Sequence, residues 1–435
     1  MPVKFPKVTI VKAITPAAES MRADLLKYEH LASTTSSQER FTTERTECFF
    51  NTEIGSLEEL GLAQQLAMHY LLMTAVKLNT ESSYRGSQNL WSKRYTQASS
   101  EIYGTPESEI ARNLARDKLK RLTESASTTV SPNLVEQFTN LNERYGIRAS
   151  EGELTKDSFE LIGEEVAEYL QIKYESVFNA LELENVETKI EPEDVARRFR
   201  QGLEVLAEQY DPAWYEWEVV IDQQRDTIIA DPANKKIVVG AKRASLTPEQ
   251  LKGLFAHEVL VHGLRCVNGT KYSEQLGTGL PQYLDVEEGL GVFFEYAITG
   301  SIPEKNVDRY VDIALALGLI DQIPKPRSEM LEYVRTRAYV RNELAAHENR
   351  KTLEQIENEV YAHVNRIYRG SLGNEYIGIL TKDIAYQVGF IKIGVYIQNQ
   401  RSRGVGMSDI MEYLLSGKFD PTNAAHVTEA KKHVQ

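Results

Sequence analysis

Cysteine is scarce in this chain. Only Cys48 and Cys266 occur in 435 residues, so neither a disulfide framework nor a four-cysteine zinc site can be built. That usage suits a reducing compartment, and a cytoplasmic location is expected. Long apolar runs are missing too. No stretch of roughly 18 apolar residues appears, so no membrane span is expected. The opening segment, MPVKFPKVTIVKAITPAAES, carries prolines and charges but no long apolar region, so no signal peptide is expected. Positive charge is the minority sign: 50 Lys and Arg stand against 63 Asp and Glu, for a net charge of −13. With no lysine- or arginine-rich run, an acidic chain repels phosphate backbones, and nucleic acid is not expected as a partner. Internal repeats and low-complexity tracts are absent as well.

What remains is a globular composition, 42% hydrophobic and 26% charged. A chain of this length buries a large core without staples and suits two or three domains. Its first half reads as helices with clear start signals. Ser56 and Glu59 form a capping-box pair ahead of an apolar run. Thr105-Pro106 and Ser131-Pro132 each place proline at a first helical position, and Gly146 sits where a C-terminal cap belongs. Residues from about 155 to 182 and 192 to 209 are helical stretches, while the polar stretch from about 78 to 90 reads as a loop. From residue 214 the pattern changes. WYEWEVVID alternates as a strand does, and RDTIIADPANKKIVVGAK reads as strand, turn and strand, with the turn at Asp231-Pro232-Ala233-Asn234. Thr247 and Gln250 form another capping box, and beyond about residue 282 the chain is helical again. Helices, a small antiparallel sheet, then helices predict an α+β fold, mostly helical.

The chemistry gathers in FAHEVLVHGLR. His257 and His262 lie five apart, with Glu258 directly after the first. A zinc hydrolase needs neutral imidazoles on the metal, an open position for water and a carboxylate to take that water's proton. Five-apart side chains point about 140° apart on a regular α-helix, so sharing one metal requires a distorted or π-type turn. Gly263 would ease such a break. The pair alone reads equally well as two core histidines. Downstream, DVEEGL opens an apolar helix through GVFFEYAI. Glu288 can be a third ligand from that helix. Glu295, seven residues on, shares its face and reads either as an acid supporting a ligating histidine or as a surface glutamate. The remaining histidines are weaker candidates. His347 and His363 lie on polar stretches and are expected to be exposed, and His69 reads as a core residue. Nothing around Cys266 activates its thiol.

Three elements in order, HEVLVHGLRCVNG, GLPQYLDVEEGLGVFFEY and RIYRGSLGNEYIGILTKDIAYQVGF, resemble the microtubule-associated tyrosine carboxypeptidases and their bacterial QEGLA-motif relatives. YTQASSEIYGTP resembles the helical N-terminal lobe of that family. The resemblance runs from about residue 45 to 420 and centres on the metal motif. Glu287 stands where the motif name has Gln and Gly291 where it has Ala, while Glu288-Gly289-Leu290 matches. The resemblance implies a zincin-like metallopeptidase core over residues 211–435 and a helical lobe over 1–210. It makes His257, His262 and Glu288 the zinc ligands and Glu258 the general base. Eukaryotic members remove a C-terminal tyrosine from tubulin. A chain of charge −13 meets an acidic tail poorly without a basic groove, so the reaction type is carried over and the protein substrate is not.

A carboxypeptidase also needs a cation for the terminal carboxylate. Arg366 and Arg369, three apart, can share a helix face. Lys382 and Tyr386 open the next helix after Thr381 as an expected N-cap, where Lys382 can bind carboxylate and Tyr386 can donate to an oxyanion. Each of these four also reads as a solvated helix face. The expected function is a zinc-dependent metallopeptidase that removes a C-terminal residue from a peptide or protein. The alternatives are a non-catalytic peptide-binding protein with a structural zinc site, or a zinc hydrolase of a non-peptide amide.

Overall fold

In the computed structural model, the residues described are 92–126 apart from 94, 98 and 101, then 130–147, 159–184, 189–347, 350–371 and 377–432. The expected capping box at Ser56 and Glu59, the loop near residue 80, and His69 lie outside them. In chain order the described elements begin with α1 (Ser108–Ala126), α2 (Pro132–Arg144), α3 (Glu160–Lys173), α4 (Glu175–Ala180) and α5 (Pro192–Gln209). Three strands follow, β1 (Glu218–Asp222), β2 (Ile228–Asp231) and β3 (Lys236–Gly240). Then come α6 (Pro248–His257), a π turn (Glu258–Gly263), α7 (Leu264–Tyr272), α8 (Glu274–Thr278) and α9 (Leu284–Thr299). The chain continues with α10 (Glu304–Ala316), α11 (Arg327–Leu344), α12 (Leu353–Ile367), α13 (Ala385–Ser402), α14 (Met407–Leu414) and α15 (Ala424–Ala430). Among the described residues no helix is long and apolar enough to cross a membrane.

The chain forms two compact units, and the division does not fall at residue 210. One unit holds the described residues up to Leu154 together with Lys305–Ile384; the other holds Thr155–Glu304 and Ala385–Gln435. The helices α3 to α5, expected in an N-terminal lobe, therefore belong with the sheet. A boundary read along the sequence assumes that each unit is one continuous stretch, and here the chain leaves the first unit and returns to it.

In the first unit α11 packs against α1, α2 and α12. Tyr333 of α11 fills the space beside Phe138 and Tyr145, and its hydroxyl bonds Asn142 Oδ1 at 3.1 Å. The α2 signals work as read: Ser131 is the N-cap, Pro132 the first helical residue, and Gly146 (φ 71°) lets Ile147 N–H return to Asn142 O at 2.8 Å. Thr105-Pro106 precedes its helix rather than opening it, since α1 starts at Ser108.

The second unit carries the sheet. Its order is β1-β3-β2, with β1 and β3 parallel and β2 and β3 antiparallel. The sheet is thus mixed, where an antiparallel one was expected. The tight turn after Asp231 forces β2 and β3 into a hairpin, and β3 then inserts between β2 and β1. Helix α5 covers the sheet through Val195, Phe199, Leu203 and Leu206, spaced as one helical face. Helices α9 and α13 pack backbone to backbone at Gly289 and Gly389. A Cβ on Gly289 would lie 2.0 Å from the Gly389 carbonyl carbon, so only glycine lets the two axes come this close. That contact fixes the helix whose Glu288 faces the histidines.

Candidate metal centre

Helix α6 begins with the capping box expected from its sequence: Gln250 N–H bonds Thr247 Oγ1 at 3.2 Å, and Thr247 N–H bonds Gln250 Oε1 at 3.0 Å. It ends at His257 and runs on through the π turn into α7. Leu264 N–H reaches back five residues to Val259 O. This wider turn absorbs the extra residue of the five-apart spacing and brings His262 round beside His257, with ring centroids 4.9 Å apart. Gly263 does not break the helix, because its φ of −68° and ψ of −52° are helical. What it supplies is room: a Cβ there would lie 2.6 Å from the Trp214 ring.

Glu288 comes from α9. Its Oε2 lies 3.8 Å from His257 Nε2 and 3.8 Å from His262 Nε2. One ligand atom from each of the three residues lies within 4.8 Å of the others. The far ring nitrogens are held as well. His257 Nδ1 is 3.1 Å from Glu295 Oε2, and His262 Nδ1 is 3.0 Å from Glu287 Oε1. A carboxylate facing Nδ1 accepts a hydrogen bond from Nδ1–H and so favours the tautomer with a lone pair on Nε2, the one a metal ligand needs. Gly291 makes the space for this ring, since a Cβ there would come within 2.5 Å of His257 Nε2.

The electrostatics fit a centre built for a cation. Burial works against charge on His257, yet Glu288 and Glu295 outweigh it, and the imidazole is pushed up to about 10. Burial would raise the Glu287 carboxyl, but Lys418 and Arg265 beside it hold it well below the usual carboxylate range. Lys418 Nζ lies 2.8 Å from Glu287 Oε1. Arg265, fully buried, pairs with Glu287 and donates to Gly417 O and Phe419 O at 2.8 and 2.7 Å. Glu258 is tethered to the sheet: its Oε2 accepts the Ala230 N–H of β2 at 2.7 Å. That bond pins the carboxylate beside the outer strand of the sheet.

Residues 148–321 and 347–433 match the family described as microtubule-associated tyrosine carboxypeptidase. The chain belongs to that family. No curated protein and no solved structure gave a match. The family match starts at residue 148, where the resemblance was drawn from about residue 45. It includes every residue named in the cluster, and it passes over 322–346, which hold α11.

The family region also holds the four expected substrate-contacting residues, which fall in both units. Arg366, in the last turn of α12, has its fork on Asp383, with Nη2 2.8 Å from Oδ1 and Nε on Oδ2. Arg369 does not share that helix, which ends at Ile367; it is exposed, as is Lys382. Thr381 does not cap α13. Its hydroxyl bonds Ser99 O at 2.9 Å, and a 3-10 turn over Lys382–Ile384 precedes the helix. Tyr386, in the first turn of α13, packs partly buried against the core of its unit. His363 is a further correction: rather than exposed, it is half-buried with Nε2 2.7 Å from Asp312 Oδ2.

The roles of Glu287, Arg265 and Lys418 escaped the sequence reading. Two of them left a signal. Glu287 adjoins Glu288, and Arg265 follows His262 by three, a same-face spacing on a helix. Lys418 lies far along the chain and left none.

Proposed function

We propose that this chain is a zinc-dependent carboxypeptidase that releases a C-terminal residue, tyrosine by the family's description, from a peptide or protein. The observation that carries the reading is the convergence of His257, His262 and Glu288 on one point, one ligand atom from each within 4.8 Å of the others. Two imidazoles and one carboxylate are the donor set of a catalytic zinc site that keeps a position open. The carboxylates on both Nδ1 atoms are the usual support for such ligands. Zinc held by these three residues would supply Lewis acidity toward a water and a peptide carbonyl.

The chain's own groups do the rest. Glu258, next to a ligand and not one of the three, takes the proton of the attacking water and returns it to the leaving amine. Its bond to Ala230 N–H keeps one oxygen oriented and leaves the other for that task. Tyr386 is the candidate donor to the developing oxyanion.

Two measurements test the reading together. Metal analysis of the purified protein should give about one zinc per chain, the stoichiometry of a three-ligand site. Mass spectrometry of peptides ending in tyrosine should show loss of that residue, abolished by a chelator and restored by zinc. Bound zinc with no cleavage of any peptide would favour a structural clamp. Cleavage that survives complete metal removal would sink the proposal.

A further inference from the structure

A carboxypeptidase has to recognise the free carboxylate at the end of its substrate, and a guanidinium does so with two parallel hydrogen bonds. In the unit that holds the metal cluster, two basic groups beside the histidines are already committed. Arg265 serves Glu287 and two carbonyls, and Lys418 serves Glu287. Arg243 is placed differently. It sits on the turn that leaves β3, where Arg243 N–H bonds Gly240 O at 3.3 Å and Lys242 N–H bonds Arg225 O at 3.0 Å. This is the end of the sheet at which β2 begins, and β2 is the strand whose Ala230 holds Glu258. The Arg243 side chain is half-buried, and its Nε is shielded from solvent with no hydrogen-bond partner among the described residues. The acidic groups whose charge reaches it are Glu295, Glu258 and Asp226. A charged donor kept dry and unpaired is costly to the fold. Such a group, within reach of the Glu295 and Glu258 charges, is placed to meet an anion that arrives with the substrate.

We propose that Arg243 binds the terminal carboxylate of the peptide and so sets the enzyme to cut one residue from the end. This rests on the carboxypeptidase reading above. It also differs from the sequence-based choice of Arg366 and Arg369 with Lys382 in reserve; of these, Arg366 has its fork on Asp383.

The test uses full-length zinc-loaded protein and peptides ending in tyrosine, each made as free acid and as C-terminal amide. Arg243→Gln should lower kcat/KM on the free acid about 10- to 100-fold, the worth of a charge-assisted bond, with zinc content unchanged. On the amide it should stay within about threefold of wild type. Arg243→Lys, which keeps the charge and loses the fork, should fall between and carries the test if the Gln variant does not fold. Equal losses on acid and amide would overturn the proposal and make Arg243 a group that acts through Glu258 or Glu295. A loss specific to the free acid in Arg369→Gln/Lys382→Gln, with Arg243→Gln unaffected, would overturn it too. Wild type that cuts neither peptide would overturn the carboxypeptidase reading itself and the role of Arg243 with it.

Discussion

His363, half-buried, and His257, buried, both lie against carboxylates, one in each unit, and the acids that hold them have different second partners. Asp312, which holds His363, also takes both arms of Arg337 at 2.7 and 2.6 Å. One turn away, Asp308 holds Arg341 and Lys118. The acid's second partner is a guanidinium. Glu288, which faces His257, has another imidazole as its second neighbour, and both rings turn Nε2 towards it. Burial drives the His363 imidazole down, with Arg337 and Arg309 opposing the pull of Asp312. The His257 imidazole goes up, because carboxylates surround it. Histidine beside acid is therefore not a metal signature. What sets the cluster around Glu288 apart is that three ligand atoms converge there, whereas Asp312 already has both arms of Arg337.

The sharpest way to break this comparison is through the chemistry. Glu258→Gln should keep zinc and fold and lose about 10²–10⁴-fold in turnover, the worth of a general base. His363→Ala, which removes the half-buried partner of Asp312, should leave turnover per folded molecule unchanged. Peptide cleavage followed by mass spectrometry decides both, and activity in Glu258→Gln within about threefold of wild type would require another base.

Arg337→Met comes next. It leaves the Asp312 charge buried, and urea unfolding should show a loss of about 3–5 kcal/mol. Zinc per folded chain should not change. If zinc left along with stability, the two centres would not be separate in kind. Smaller is the effect of Glu287→Gln, which keeps an acceptor for His262 Nδ1 but strands Arg265 and Lys418. Zinc affinity, measured by chelator competition, should fall about 10- to 100-fold, as for other groups that orient a ligand.

The smallest effect is in pH, and its sign differs between the two histidines. The folded state depresses His363, so its contribution is full above about pH 6.5 and is lost as pH falls from there through the folded value. Asp312, also depressed, adds to the loss only further into acid. In metal-free protein His257 is raised to about 10, so its contribution is present below about pH 6.5 and is lost as pH rises through that value. Urea midpoints of wild type, His363→Gln and His257→Gln between pH 5 and pH 10 separate the two limbs, each worth up to about 1.4 kcal/mol per pH unit crossed. A His363→Gln variant as acid-sensitive as wild type would remove His363 from the explanation.

Much of this was legible because it is written in neighbouring residues. The Thr247–Gln250 capping box, the Ser131-Pro132 start and the strained spacing of His257 and His262 each involve residues within one or two turns, so local chemistry decides them. The pairing of β3 with β1 is different, because alternation marks a strand without naming its neighbour. The two-unit division was hidden for a similar reason, since nothing in composition marks where the chain leaves a unit and comes back. Glu287 was in view, but its role depends on Lys418 and on the carbonyls of Gly417 and Phe419, which only the folded chain brings near. Arg366 shows the converse limit of reading along the chain. Its spacing from Arg369 was noticed while Asp383, which holds its fork, was passed over.

The π turn fixes the phase of everything after it. It holds one residue more than an α turn, so α7 is rotated by about 100° from where an uninterrupted helix would carry it. Leu264, Arg265 and Val267 are buried in that rotated phase. Deleting one of Val259, Leu260 or Val261 would give the histidines a regular four-residue interval. It would also swing Arg265 off Glu287 and turn the inner face of α7 outward. The longer interval and the packing of α7 are a single setting, so a one-residue deletion cannot move this helix to the shorter motif without a second, compensating change downstream.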